Sequence, residues 1–207
     1  LLVGLSVTAL ASGSAVSAHR LDEYLQAARI DLHQDRVSID LALTPGAELA
    51  AAIIVAIDGN SDGVTSVDEQ HVYAEEVVRA LEITVDGAVL PLRPTSSTFS
   101  TPAQFRRGEG TIRLRLVATH RPLSIGHHRL FFRNRHLAGE SVYLANALVP
   151  ESRSMSVTGQ RRAADQSHVT IDYSVGPALA GFASNGILLG LVAAVLIARY
   201  TRRHGIR

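Results

Sequence analysis

Apolar and polar positions alternate near the start of the chain. In Arg36–Leu43, the residues Val37, Ile39, Leu41 and Leu43 fall on every second position, the period of a strand with one buried face. Tyr24–Leu32 reads as a partner strand, and His33-Gln34-Asp35 between them suits a hairpin turn. The period then changes. Ala47–Ile57 (AELAAAIIVAI) is alanine-rich and free of turn formers, which predicts a helix, with Pro45-Gly46 as the break before it. In Asp68–Leu81 the residues Tyr73, Val77 and Leu81 recur every fourth position among acidic and amide residues, which predicts an amphipathic helix. Strand signals return at Ile83–Val85 and Ala88–Leu92, which flank the two-residue turn Asp86-Gly87. Further strands are predicted at Thr111–Thr119, Arg129–Phe132, Ser141–Leu148, Ser154–Thr158 and His168–Val175. Thr95–Gly110 reads as a long polar loop.

Many short strands separated by turn residues predict a mainly β, β-sandwich-like domain over residues 19–175. A helix–loop–helix at 47–81 is inserted between its second and third strands. In Arg129–Arg135 (RLFFRNR), Phe131 or Phe132 is expected in the core, with the arginines toward water.

Both ends of the chain are apolar. Leu1–Ala18 (LLVGLSVTALASGSAVSA) closes on small residues at Val16-Ser17-Ala18, as a signal peptide does, with cleavage expected after Ala18 and His19 as the new N-terminus. It lacks an initiator Met and a basic leader, so the signal is read as truncated. Ala178–Ala198 runs 21 residues without a charge and is followed by Arg199, Arg202, Arg203 and Arg207. That length spans a hydrocarbon core of about 30 Å, and the arginines place residues 199–207 in the cytoplasm and the preceding domain outside. A single-pass cell-membrane protein is therefore expected. Gly186, Gly190, Ala194 and Ala198 recur every fourth residue, a stripe that would let two such helices approach as a homodimer.

The strongest chemical signal lies between the two predicted helices, at Asp58-Gly59-Asn60-Ser61-Asp62-Gly63-Val64-Thr65-Ser66-Val67-Asp68-Glu69. Asp58, Asn60 and Asp62 alternate so that three short side chains turn oxygens toward one centre. Gly63 supplies the sharp turn, Val64 a backbone carbonyl, and Ser66 a hydroxyl or a bridging water. Glu69 is long enough to reach back with both carboxylate oxygens. The expected ion is Ca2+, held by Asp58, Asn60, Asp62, Val64, Ser66 and Glu69.

Over Ala47–Leu81 the chain resembles the EF-hand superfamily. It departs from that pattern at Thr65, where paired hands carry Ile, Val or Leu, and the sequence contains no second loop of this kind. An unpaired loop is expected to bind calcium at about 10⁻⁴ to 10⁻³ M, the range of extracellular modules. That suits a standing structural ion. The opening Ala18-His19-Arg20-Leu21-Asp22-Glu23-Tyr24 is similar to the mature start of bacterial membrane-anchored proteins that carry an EF-hand after two strands. A similar start occurs in extracytoplasmic domains fused to nickel/cobalt-transporter-like regions, but this sequence has one span and no transporter body.

Composition narrows the remaining classes. There is no cysteine, so disulfides and thiolate chemistry are excluded. All 20 basic residues are arginine, the composition of a GC-rich bacterial genome, and the net charge of +1 does not suggest a nucleic-acid surface. No GxSxG, HExxH, P-loop or GxGxxG pattern is present, so the chain is not expected to be an enzyme. His120, His127, His128 and His136 fall within a short stretch and would suit nickel, cobalt or copper. Neighbours on a strand face opposite ways, however, so four surface histidines near turns is the preferred reading. The sequence thus leads to a calcium-binding, membrane-anchored extracytoplasmic module with an unidentified protein partner.

Overall fold

The computed structural model describes residues 22–177. The expected signal peptide, the expected span at 178–198 and the basic tail lie outside the described residues. Among the described residues no helix is long and apolar enough to cross a membrane.

The described chain is mainly β, with 47% strand against 17% helix. Its first strands are β1 (Tyr24–Leu32) and β2 (Arg36–Pro45), followed by α1 (Ala50–Ile57) and α2 (Val67–Arg79). Next come β3 (Leu81–Val85), β4 (Ala88–Val89), β5 (Arg93–Phe99), α3 (Pro102–Arg106) and β6 (Ile112–Thr119). The chain continues through β7 (Gly126–Asn134), β8 (Ser141–Ala147), β9 (Met155–Arg162) and β10 (His168–Val175). Two five-stranded sheets result, ordered β5-β6-β2-β1-β8 and β4-β3-β7-β10-β9. Alternate residues of the central strands point into one shared core: Ile30, Ile39, Leu41 and Leu114 from the first sheet, Ile83, Leu130, Phe132 and Ile171 from the second. Each such side chain contributes about 1.5–3 kcal/mol of burial, which is what holds the two sheets face to face.

Local chemistry explains most of the connections. Asp86 (φ 50°) and Gly87 (φ 83°) both adopt left-handed backbone, as a type I′ hairpin between β3 and β4 requires. Helix α2 opens on a capping box in which Ser66 accepts from the Glu69 N–H while Glu69 accepts from the Ser66 N–H. It ends at Arg79 rather than Leu81, because Leu81 pairs with Asn134 as the first residue of β3. Helix α1 begins at Ala50, three residues later than the composition suggests, since Gly46–Leu49 closes a turn through Leu49 N–H to the Gly46 carbonyl.

The long polar loop expected at Thr95–Gly110 is a correction. Its first part is β5, an exposed edge strand laid on β6, and its second contains α3. The helix has its own capping box, Thr101 with Gln104, and Pro102 in its first turn. It inserts Phe105, 1% exposed, into the core. At the other edge of that sheet β8 runs parallel to β1. At its C-terminal end, two outer backbone groups are taken by side chains of β9: Arg162 donates to the Ala145 carbonyl and Gln160 accepts the Ala147 N–H.

Candidate metal site

The twelve-residue segment 58–69 comprises the connection from α1 to α2 and the first three residues of α2. Both helices are mounted on the core, α1 through Ile53, Ile54 and Ile57 and α2 through Tyr73, Ala74 and Val77. The loop therefore hangs between two fixed posts.

Within it, acidic side chains fold back onto the backbone. Asp58 Oδ1 accepts the Asp62 N–H at 3.1 Å and Oδ2 accepts the Gly63 N–H at 2.8 Å. Asn60 Oδ1 accepts the Asp62 N–H at 2.9 Å, and Asp62 Oδ1 accepts the Val64 N–H at 2.8 Å. Gly63 sits at φ 83°, where a Cβ would be strained, and Ser61 shares the left-handed region at φ 60°. Glu69 spans the mouth of the loop. One of its oxygens accepts the Asn60 N–H at 3.2 Å, and the other accepts the Ser66 N–H and hydroxyl at 2.9 and 2.8 Å. The Ser66 bonds, followed by the Asn60 N–H, hold the Glu69 carboxyl below the usual carboxylate range.

Asp58 is the unusual member. It is 6% exposed and stands at the C-terminal end of α1, where the helix dipole disfavours negative charge. No basic residue occurs between Val37 and Gln70. None of the ion pairs formed among the described residues reaches Asp58, Asp62 or Glu69. The donor set is all oxygen: three carboxylates, the Asn60 amide, the Ser66 hydroxyl and the Val64 carbonyl. That chemistry fits a hard divalent cation. As they stand, no three His, Asp or Glu side chains among the described residues form a closed metal-holding group.

Helix α2 is tied to the sandwich by a buried polar network whose strand members Tyr24, Gln26, Asn134 and Tyr143 all fall on the buried parity of their strands. The Tyr73 hydroxyl lies 3.1 Å from that of Tyr24 and 3.2 Å from His136 Nε2. The His136 carbonyl accepts from Gln26, Ser141 and Tyr143, and Asn134 donates to Gln26 at 2.7 Å. Burial lifts the Tyr73 hydroxyl to about 12 and lowers His136 below its ordinary value, the latter partly offset by Glu76. Tyr73→Phe is expected to cost about 1–3 kcal/mol, because it removes a partner from both Tyr24 and His136 in a buried setting. Urea denaturation measures this, and a cost indistinguishable from zero would show that the network does not hold the helix.

Contrary to expectation, the four histidines are not all on the surface. His136 is buried beside α2. His128 has its side chain 8% exposed and faces Asp86 from the opposite end of β7, whereas its neighbour His127 is exposed. The Nδ1 of His120 bonds the Arg121 carbonyl. The phenylalanines of β7 divide as alternation requires: Phe132 is buried, and Phe131 lies on the other face near both the His168 ring and the Arg133 guanidinium.

Comparison of the chain with protein-family models and with curated proteins finds no match.

Proposed function

We propose that the chain is a calcium-binding, membrane-anchored extracytoplasmic interaction module in which the ion is structural. The observation that carries this reading is Asp58, a buried carboxylate at a helix C-terminus with no cationic partner, in the same loop as Asp62 and Glu69. Left without a cation, the loop concentrates negative charge that is offset by backbone N–H groups, the Ser66 hydroxyl and the Asn60 amide, none of them charged. Asp58, Asn60, Asp62, the Val64 carbonyl, Ser66 and Glu69 would hold Ca2+. The ion would supply the missing positive charge and draw the end of α1 toward the start of α2. Closing on it requires Asp62 and Glu69 to exchange their loop N–H contacts for the ion. Because both helices are fixed to the core, the order gained would reach the sandwich.

The signal-like start and the 21-residue uncharged stretch at 178–198 support an extracytoplasmic domain carried on one span, with the Gly186/Gly190 stripe as a route to a homodimer. The direct test is calorimetric titration of the soluble fragment 19–175 with Ca2+, with melting temperature followed in parallel. One-to-one binding near 10⁻⁴ to about 10⁻³ M with a raised melting temperature is the expected result. No heat and no thermal shift at about 10 mM Ca2+ would reduce the loop to a polar turn.

A further inference from the structure

The end of the sandwich remote from the loop carries a second titratable assembly, built around His128. Both ring nitrogens of this side chain face acceptors. Nδ1 stands 2.7 Å from Asp86 Oδ2, in the turn between β3 and β4. Nε2 stands 2.8 Å from the Ser124 carbonyl, in the connection between β6 and β7. A carbonyl only accepts, and an ionised carboxylate only accepts. A neutral imidazole carries one N–H, so it would leave one of these contacts as lone pair against lone pair. A proton on Asp86 Oδ2 would satisfy the same contacts, but a carboxyl is a stronger acid than imidazolium by about 2–3 pKa units, and Oδ1 accepts the Arg129 N–H at 2.8 Å, which further favours the carboxylate. With Asp86 ionised, the imidazolium is the form of His128 that satisfies both contacts.

We propose that His128 is a proton-operated clamp that, as imidazolium, fastens the β6–β7 connection to the β3–β4 hairpin and releases it on deprotonation.

The surrounding charges agree with this assignment. On His128, burial works against the charged form, but the Asp86 and Ser124 bonds outweigh it and set the group above its ordinary value. On Asp86, desolvation is outweighed by His128 and the Arg129 N–H, and His120 at the end of β6 adds positive potential, so the carboxyl sits low. From β10, the Tyr173 ring lies 5.7 Å from the imidazole, and burial keeps its hydroxyl neutral by pushing it well above the ordinary phenol range. Asp172 is taken up by Arg129 and Arg161. His127, on the clamp's own strand, is exposed and lines the same recess of about 380 Å³. The sign follows from a raised folded value. The clamp is closed below the unfolded histidine value of about 6.5 and is lost as pH rises through the folded value. On the acid side it holds until pH falls through the depressed value of Asp86.

Two amides report the state of the clamp. Arg129 N–H is bound to Asp86 itself, and Leu123 N–H is bound to the Gln34 carbonyl at 2.9 Å. Hydrogen exchange of the full chain, corrected for intrinsic rates, is followed from about pH 5.5 to about pH 9, bracketing an ordinary or raised histidine. The expected result is loss of protection at both amides by about tenfold or more across the titration of the His128 ring, while β2 and β6 stay protected. Asp86→Asn, which removes the carboxylate charge, should move the step to lower pH. His128→Gln should abolish the step and leave both amides fast at every pH. A flat profile in the wild-type chain, or a step that survives His128→Gln, overturns the proposal. Protection of β2 and β6 separates either result from unfolding.

Discussion

Phe105→Ala is expected to destabilise the protein by about 3–5 kcal/mol, the largest single-residue effect outside the strands. Helix α3 has five residues, too few to persist on its own capping energy, so its position depends on what Phe105 buries. That ring is 1% exposed and belongs to the common core, and α3 packs against α1. Removing it leaves a cavity whose walls include a rigid sheet on one side, which limits collapse. The same site can be damaged from the other side. A Cβ at Gly110 would overlap a ring carbon of Phe105 and stand 2.8 Å from its Cα. The ring can rotate away, but the backbone atom cannot, so Gly110→Ala should approach the cost of the truncation. Urea denaturation of both variants gives the measurement. A cost below about 1 kcal/mol for Phe105→Ala would mean that α3 is not part of the cooperative core.

Glu69→Gln should abolish calcium-dependent stabilisation while leaving the protein nearly as stable as wild type in chelator. Glu69 has two roles. It closes the capping box with Ser66, and under the proposed function it supplies the bidentate carboxylate to the ion. The molecule contains its own control for the first role, because Gln104 closes the equivalent box with Thr101 at the start of α3. Glutamine therefore preserves the cap and removes the charge and one hard oxygen. For a dissociation constant of about 10⁻⁴ to 10⁻³ M, about 10 mM calcium should stabilise the wild type by about 1.4–2.7 kcal/mol. The variant should show none of this. Glu69→Ala should lose the calcium response and, in addition, about 0.5–1 kcal/mol in chelator through the broken cap. An unchanged calcium response in Glu69→Gln would remove Glu69 from the ligand set.

What could be read from the residues alone is what depends on neighbours in the chain. The alternation of Val37, Ile39, Leu41 and Leu43 needs only the pleat of one strand, and it places those four side chains in the core. Asp86-Gly87 needs only the left-handed preference of two adjacent residues. The spacing of Asp58, Asn60, Asp62, Gly63 and Glu69 is likewise local, and the hydrogen bonds among these residues span at most nine positions. The capping box of α3 was also legible, as Thr101-Pro102 followed by Gln104, but the hydroxyl-rich run before it concealed both that helix and the edge strand β5.

Tertiary structure decided whatever joins distant parts of the chain. The parallel pairing of β8 with β1 cannot be inferred from either strand, since it depends on which sheet edge remains open after β2 has paired on the other side. Gln26 meets Asn134 across 108 positions, and Tyr24 meets Tyr73 across 49. These polar residues are tolerated inside only because each supplies the partner that water would otherwise provide. The histidines make the same point. Sequence placed all four on the surface, but β7 carries His128 to one end of the sandwich against Asp86, and His136, just beyond its other end, is buried against α2. A strand extends about 3.3 Å per residue, so residues close in sequence but separated along it cannot share one ion. Sequence thus determined the local geometry of most segments and the all-oxygen donor chemistry of the 58–69 loop, whereas the burial and partnership of the titratable side chains were set by which faces the two sheets brought together.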